Sequence, residues 1–162
     1  MRAAVLPLEQ IPPINRGANP VGYDPGVRLV PRFPVDDRQL SALHARAFGD
    51  APDEVQPWAQ RLERHALTWV GAFDDGELIG FVQVCWDGGK HAFLLDTAVA
   101  PDRRHHAVGT RLVQAAADEA RAAGCSWLHV DFEAPLRHFY IDRCGFRTTR
   151  AGLMSLPVVA TA

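Results

Sequence analysis

Three apolar, β-prone runs follow one another with only tight turns between them: Thr68–Phe73, Leu78–Trp86 and Ala92–Val99. Asp74-Asp75-Gly76-Glu77 joins the first two, and Trp86-Asp87-Gly88-Gly89 leads into the third. An Asp-Gly pair between such runs is a hairpin signal. Links this short force antiparallel neighbours, because a parallel pair needs a crossover of roughly a dozen residues or more. The middle of the chain is therefore a long antiparallel meander.

The flanking segments alternate between the two periodicities. Val27–Pro31 reads as a short strand. Asp36 or Asp37 can cap a helix that carries Leu40, Leu43, Ala47 and Phe48 on one stripe and ends at Gly49. Val55, Trp58, Ala59 and Leu62 predict a second helix from about Asp53 to His65. Beyond the meander, Pro101 stops the strand, and Val108, Leu112, Ala116, Ala120 and Ala123 form the apolar stripe of a helix ended by Gly124. Trp127–Phe132 is a strand with Leu128, Val130 and Phe132 on one face and Trp127, His129, Asp131 and Glu133 on the other. Pro135 can open a helix bearing Leu136, Phe139, Tyr140 and Cys144, closed by Gly145. Short strands are expected at Phe146–Thr149 and Leu153–Leu156. The order β-α-α-β-β-β-α-β-α-β-β is an α/β fold of the α+β type, a mixed and mostly antiparallel sheet flanked by about four helices. Residues 1–26 hold five prolines and three glycines, too dense for a regular helix or a central strand. They are set apart as a Pro/Gly-rich tail, and the domain is taken as 27–162.

A chain of 162 residues, 48% hydrophobic and 22% charged, fits one domain with a real core. A formal net charge of −2 gives no general attraction to nucleic acid or anionic membrane. No apolar run approaches the ~18–20 residues that span a bilayer, and the opening residues lack the apolar stretch of a secretory leader. Cys85, Cys125 and Cys144 are scattered and odd in number, which suits reduced thiols in a cytoplasmic protein. They make no zinc spacing, and the adjacent His105 and His106 are poorly placed to share one ion, so no metal is expected.

The segment after the meander carries the chemistry. A strand, a proline, a basic loop with Arg103 and Arg104, small residues at Ala107 and Gly109 and then a helix start follow in order. A helix opening has about four unpaired amides and about half a positive charge, so such a turn can cradle a pyrophosphate. A plain turn with a solvated basic loop fits the same pattern. A dinucleotide fingerprint does not, because the glycines are too few and three antiparallel strands precede the turn.

Val99-Ala100-Pro101-Asp102-Arg103-Arg104-His105-His106-Ala107-Val108-Gly109-Thr110-Arg111-Leu112 resembles the signature of the GNAT acetyltransferase superfamily, V-x-P-x-x-(R/Q)-x-x-G-x-(G/A)-x-x-L, with Ala107 in place of the usual first glycine. Downstream, Glu133-Ala134-Pro135-Leu136-Arg137-His138-Phe139-Tyr140 followed by Gly145-Phe146 resembles the family's N-x-x-A-x-x-F-Y and G-F. Glu133 and Leu136 depart from it, and the Tyr-to-Gly spacing is one residue longer than the commonest form. The resemblance covers residues 27–156. It implies a sheet whose fourth and fifth strands splay to admit acetyl-CoA, with Arg104, His105, His106, Ala107, Val108, Gly109 and Thr110 around the pyrophosphate and backbone groups near Ala98 and Val99 on the pantetheine arm. It further implies direct attack by a primary amine on the bound thioester, with Tyr140 protonating the departing thiolate, and it favours a homodimer.

The general base stays open between Asp96, an acid amid apolar strand residues, and Glu133, near the cleft by motif position. A water chain could serve equally. Trp58, Trp86, Phe48 and His65 are candidates for acceptor recognition, with core packing the alternative for each. The expected acceptor is a small-molecule amine. A protein lysine or N-terminal acetyltransferase and a non-catalytic acyl-CoA-binding module are the competing readings.

Overall fold

The computed structural model describes residues 26–49 and 54–156. One sheet holds five strands in chain order: β1 (Arg28–Pro31), β2 (Ala66–Asp74), β3 (Glu77–Trp86), β4 (His91–Val99) and β5 (Trp127–Val130). The first four pair antiparallel, as the meander requires, and β5 runs parallel to β4. Asp74 pairs with Glu77 across a two-residue turn in which Asp75 and Gly76 have φ of 47° and 86°. Positive φ at both central residues matches the twist of a tight hairpin.

The parallel entry of β5 requires a crossover, supplied by helix α3 (Val108–Ala122). Its Val108, Leu112, Val113, Ala116 and Ala120 bury against one sheet face with Val70, Ile79, Val82 and Leu94. Helices α1 (Asp37–Phe48) and α2 (Trp58–His65) cover part of the other face, where Leu40, Leu43, Trp58 and Leu62 pack on Phe81. No helix among the described residues is long and apolar enough to cross a membrane.

Polar side chains of α1 fasten it to α2. Asp36 caps α1, its Oδ1 accepting from the amides of Arg38 and Gln39 at 2.9 Å each. Asp37 serves the neighbouring helix instead, accepting from the Ala59 amide at 2.7 Å. The Ser41 hydroxyl accepts from the Gln56 amide at 2.9 Å and from Trp58 Nε1 at 3.1 Å. Gly49, at φ 81°, ends α1 as expected.

Several boundaries differ from the sequence reading. Helix α2 starts at Trp58 because Pro57 disfavours the helical conformation at Gln56; Asp53 itself lies outside the described residues. The helix expected from Pro135 is a 3-10 turn, Ala134–Leu136, followed by a π-helix, His138–Arg143. Strand β5 ends at Val130 rather than Phe132. The strands expected at Phe146–Thr149 and Leu153–Leu156 do not form. Phe146 donates its amide to the Tyr140 carbonyl at 3.0 Å and so closes the π-helix instead of opening a strand. Leu153, Met154 and Leu156 are each at least 80% exposed, so their apolar side chains have no face to bury against. The tail of residues 1–26 falls outside the described residues apart from Gly26.

Gly80 marks the closest approach of α3 to the sheet, since a Cβ there would lie 2.9 Å from Leu112 Cδ1 and 3.1 Å from Val108 Cγ1. Gly80→Val therefore overpacks this contact and is expected to lower stability by about 1–3 kcal/mol. Urea unfolding checks it; an unchanged midpoint would mean that the helix yields without cost.

Candidate active site

Strands β4 and β5 pair only from His91–Leu94 against Trp127–Val130. Beyond that point β5 ends and β4 runs on alone along that edge, so the sheet opens as the resemblance implies. Ala100 donates its amide to the Ile79 carbonyl at 2.9 Å, and Ala98 stands opposite Phe81. Antiparallel ladders use alternate residues, so Ala98 spends its backbone groups on β3 while those of Val99 face the opening.

Just before this point β4 carries a bulge. Its register against β3 passes from Gln83↔Leu95 to Phe81↔Ala98, so Asp96 and Thr97 together oppose Val82. Asp96 takes up the irregularity with φ 51°, a conformation that aspartate tolerates better than most residues. Its carboxylate enters a cavity of about 330 Å³ enclosed with Ser41, His44, Glu54, Gln56, Trp58 and Arg61. Asp96 Oδ2 accepts from Gln83 Nε2, Oδ1 lies 3.4 Å from His44 Nε2, and the Arg61 guanidinium is 3.5 Å away. Arg61 in turn lies over the Trp58 ring, 3.8 Å from its centroid. A carboxylate in an otherwise apolar strand is thus compensated by three partners and by solvent, its side chain being 30% exposed.

The turn into α3 is built from backbone. His105 and Ala107 have φ of 70° and 59°, and Ala107 is the N-cap of α3. Alternating left-handed residues turn successive amides inward and make a concave anion nest. The first helical bond runs from the Arg111 amide to the Ala107 carbonyl at 3.0 Å, so the amides of Val108, Gly109 and Thr110 have no helical partner. The two arginine side chains do not reach into this nest. Arg104 donates to the Ala47 carbonyl at the end of α1, at 2.9 Å, and Arg103 pairs with Asp74 of the hairpin at 2.5 Å. They anchor the loop, and what Arg104 offers a ligand is its backbone. Gly109 has a further reason to be small, because a Cβ there would sit 3.1 Å from the Phe139 ring.

Tyr140 is 6% exposed, stacked on Phe132 at 5.1 Å and held edge-on by Phe139 and Phe146 at 4.8 and 5.9 Å. Burial pushes its phenol above the usual tyrosine range, the facing Thr97 hydroxyl opposing, so it stays protonated at neutral pH. The extra residue between Tyr140 and Gly145 is absorbed by the π-helix, in which Cys144 donates to the Phe139 carbonyl five residues back at 3.0 Å. Burial pushes the Cys144 thiol up to about 12, the Thr110 hydroxyl opposing.

Of the residues singled out from sequence, Asp96 and Trp58 meet in the cavity, and Tyr140 sits on the other side of β4. Glu133 is exposed, its carbonyl taken by Leu136 at 2.9 Å, and it does not line the cavity. Phe48 is 51% exposed and lies against His44 at 4.5 Å, Trp86 is 40% exposed, and His65 lies at the exposed end of α2. Sequence reasoning passed over His44, Arg61, Gln83 and Thr97. Only Gln83 carried a signal, as a lone amide inside an apolar strand.

The model of the acetyltransferase (GNAT) family matches residues 36–146. The chain belongs to the GNAT acetyltransferase family. Among curated relatives of this GNAT domain, the mycothiol acetyltransferase of Nocardia farcinica is 34% identical over 113 residues, 70% of this chain and 37% of the relative. The streptothricin acetyltransferase of Streptomyces lavendulae is 34% identical over 101 residues, 60% of this chain and 53% of the relative. The chain thus spans between about a third and a half of these proteins. Solved structures share the fold. AAC(6′)-Iy, in complex with a CoA bisubstrate analogue, superposes with a TM-score of 0.66 at 18% identity, covering 82% of this chain and 99% of that one. Glucosamine-6-phosphate N-acetyltransferase of Arabidopsis thaliana gives 0.62 at 15%, covering 80% and 98%.

Ala107 occupies the conformation for which glycine is suited, and the left-handed region costs a residue with a Cβ roughly 1–2 kcal/mol. Glycine gives back about half of that through its freer unfolded chain. Ala107→Gly is therefore expected to raise stability by up to about 1 kcal/mol. Urea unfolding checks this; a destabilised variant would contradict the left-handed turn.

Proposed function

We propose that this domain transfers the acetyl group of acetyl-CoA to a primary amine of a small molecule, by direct attack with both substrates bound and without a metal. The observation that carries this reading is the link from β4 to α3. There, three amides lack helical partners and β4 runs past the end of β5 to Val99, with Asp96 opening into a cavity on one face of the sheet and Tyr140 buried in the core on the other.

The residues fit the cofactor. The nest of Arg104–Thr110 offers backbone donors and the positive end of α3 to a pyrophosphate. The Val99 amide is the donor for the acetyl carbonyl. Acetyl-CoA supplies the acyl group already activated as a thioester. Asp96, rather than Glu133, binds the neutral acceptor amine and takes the proton that its nitrogen loses on attack, because Asp96 lines the cavity. Tyr140 is the proton donor to sulfur. The cavity volume suits a small acceptor group, and the relatives named for mycothiol and streptothricin support that class. The unpaired thiols of Cys85, Cys125 and Cys144 suit a cytoplasmic setting.

His106 is exposed beside the nest, so His106→Glu sets a carboxylate against bound phosphate without disturbing the core. Coenzyme A is expected to bind at least about tenfold more weakly, about 1.4 kcal/mol, with the urea midpoint unchanged. Undiminished affinity in calorimetric titration would remove the nest from the binding site. On the other side of the gap, Asp96→Asn is expected to lower kcat/KM for streptothricin or neamine by about 100-fold while coenzyme A binding holds. Full activity of that variant, measured by free-thiol release, would transfer the role to water.

A further inference from the structure

Two opposite charges share the cavity beneath α1 and α2, and each is held by something other than its opposite. Asp96 is set by the bulge of β4 and by Gln83, whose side-chain amide donates to Oδ2. The Arg61 guanidinium lies over the Trp58 ring, 3.8 Å from its centroid. That ring is fixed in turn. Trp58 is 2% exposed, its Nε1 donates to the Ser41 hydroxyl at 3.1 Å, and Phe81 packs edge-on at 5.7 Å. Arg61 Nη2 stands 3.5 Å from Asp96 Oδ2, beyond the ordinary range of an N–H···O bond. Among the described residues Arg61 makes no hydrogen bond, so a planar fork of five donors stands at the cavity wall without a protein acceptor. Such a fork matches a carboxylate with two parallel bonds, and one already laid on an aromatic ring loses little freedom in binding it. Glu54 lines the same cavity without pairing to Arg61, so it does not take up that cation's charge.

We infer that Arg61 receives a carboxylate of the acceptor, and that the acceptor is an α-amino acid rather than a plain amine or a polyamine. The inference rests on the role proposed for Asp96. The nitrogen and the carboxylate of an α-amino acid are joined through one carbon, about 2.5–3 Å apart by standard bond lengths. Asp96 and Arg61 stand at a comparable spacing, so one ligand meets both, its amine on the carboxylate and its carboxylate on the guanidinium. A polyamine would instead bring a second ammonium against the Arg61 charge. In the transfer, the acceptor nitrogen bonds to the acetyl carbon and gives a proton to Asp96. The carbon–sulfur bond breaks with its electron pair going to sulfur, and sulfur takes the phenol proton of Tyr140. Asp96 releases its proton to solvent and Tyr140 regains one from solvent, so charge and protons balance. The product is an N-acetyl amino acid, whose carboxylate takes no part in the bond changes. Arg61 therefore acts on the choice and orientation of the acceptor, not on the reacting atoms.

Free-thiol release from acetyl-CoA, measured with the twenty standard amino acids and with neamine, tests the class. For the best amino acid, its α-amide is the control, because it keeps the amine and the side chain and removes only the anion. The acid is expected to exceed the amide in kcat/KM, expressed per unprotonated amine, by about 10- to 100-fold. In Arg61→Gln that ratio is expected to fall to within about threefold of unity. A merely structural role for Arg61 would lower acid and amide alike and leave the ratio standing. Calorimetric titration of the same amino acid into the protein holding coenzyme A is expected to show affinity about tenfold weaker in Arg61→Gln than in the parent. Equal use of acid and amide, a ratio that survives Arg61→Gln, or unchanged affinity in that variant each overturns the proposal. If neamine is acetylated and no amino acid is, the acetyl transfer stands and the amino-acid class falls. If no acceptor is acetylated, neamine included, the proposed transfer falls and takes this inference with it.

Discussion

Strand β4 loses its partner halfway along, and the candidate site depends on that. Four residues of β4 pair with β5, after which the strand continues to Val99 with one edge bare. Unpaired backbone groups inside a fold are costly unless water or a ligand satisfies them. The gap therefore asks for an extended guest with amide groups of its own, which is the demand that the pantetheine arm of the proposed cofactor meets. The two ends of the gap are fixed by different means. Hydrogen-bonded pairing holds the end at Leu94, and the packing of α3 across Gly80 holds the end at Val99.

Irregular conformations cluster on this one link. Asp96, His105 and Ala107 are three of five non-glycine residues with positive φ among the described residues, and the orphan hydroxyl of Thr97 lies between the first two. Each such feature costs on the order of 1–3 kcal/mol, and none is needed to close the core. The regular parts offset them, with whole stripes of Leu and Val buried on both faces of the sheet. Local rules break here at four positions between Asp96 and Ala107, the pattern expected where a scaffold is bent to a chemical task.

Much of this was legible in the residues because the signals are local. The Asp-Gly turn, the Asp36 cap, the Gly49 and Gly124 stops and the strand–proline–small-residue sequence before α3 each need only a few neighbours to act. The one-residue excess between Tyr140 and Gly145 was also visible, but its structural meaning was not. The chain takes up the extra residue as a π-helix, His138–Arg143. The environment of Asp96 could not be read, since His44 lies 52 positions away and reaches it only once α1 has folded across the sheet. The last two strands were misread for a related reason. A short apolar run such as Leu153–Leu156 forms a strand only if a partner edge exists, and the side chains of Leu153, Met154 and Leu156 face solvent.

The same contrast of local and distant separates the two halves of the site. Everything proposed to hold the cofactor, apart from Tyr140, comes from the unbroken run Val99–Thr110. The cavity proposed for the acceptor is assembled from α1, the approach to α2, α2 itself and the bulge of β4. Its shape depends on how Asp37 and Ser41 stitch the first helix to the second. A substitution in that stitching would reshape the cavity directly and would reach the nest only through the bond from Arg104 to the Ala47 carbonyl. The shape of the cavity therefore follows from helix packing, and that of the nest from backbone conformation at His105 and Ala107.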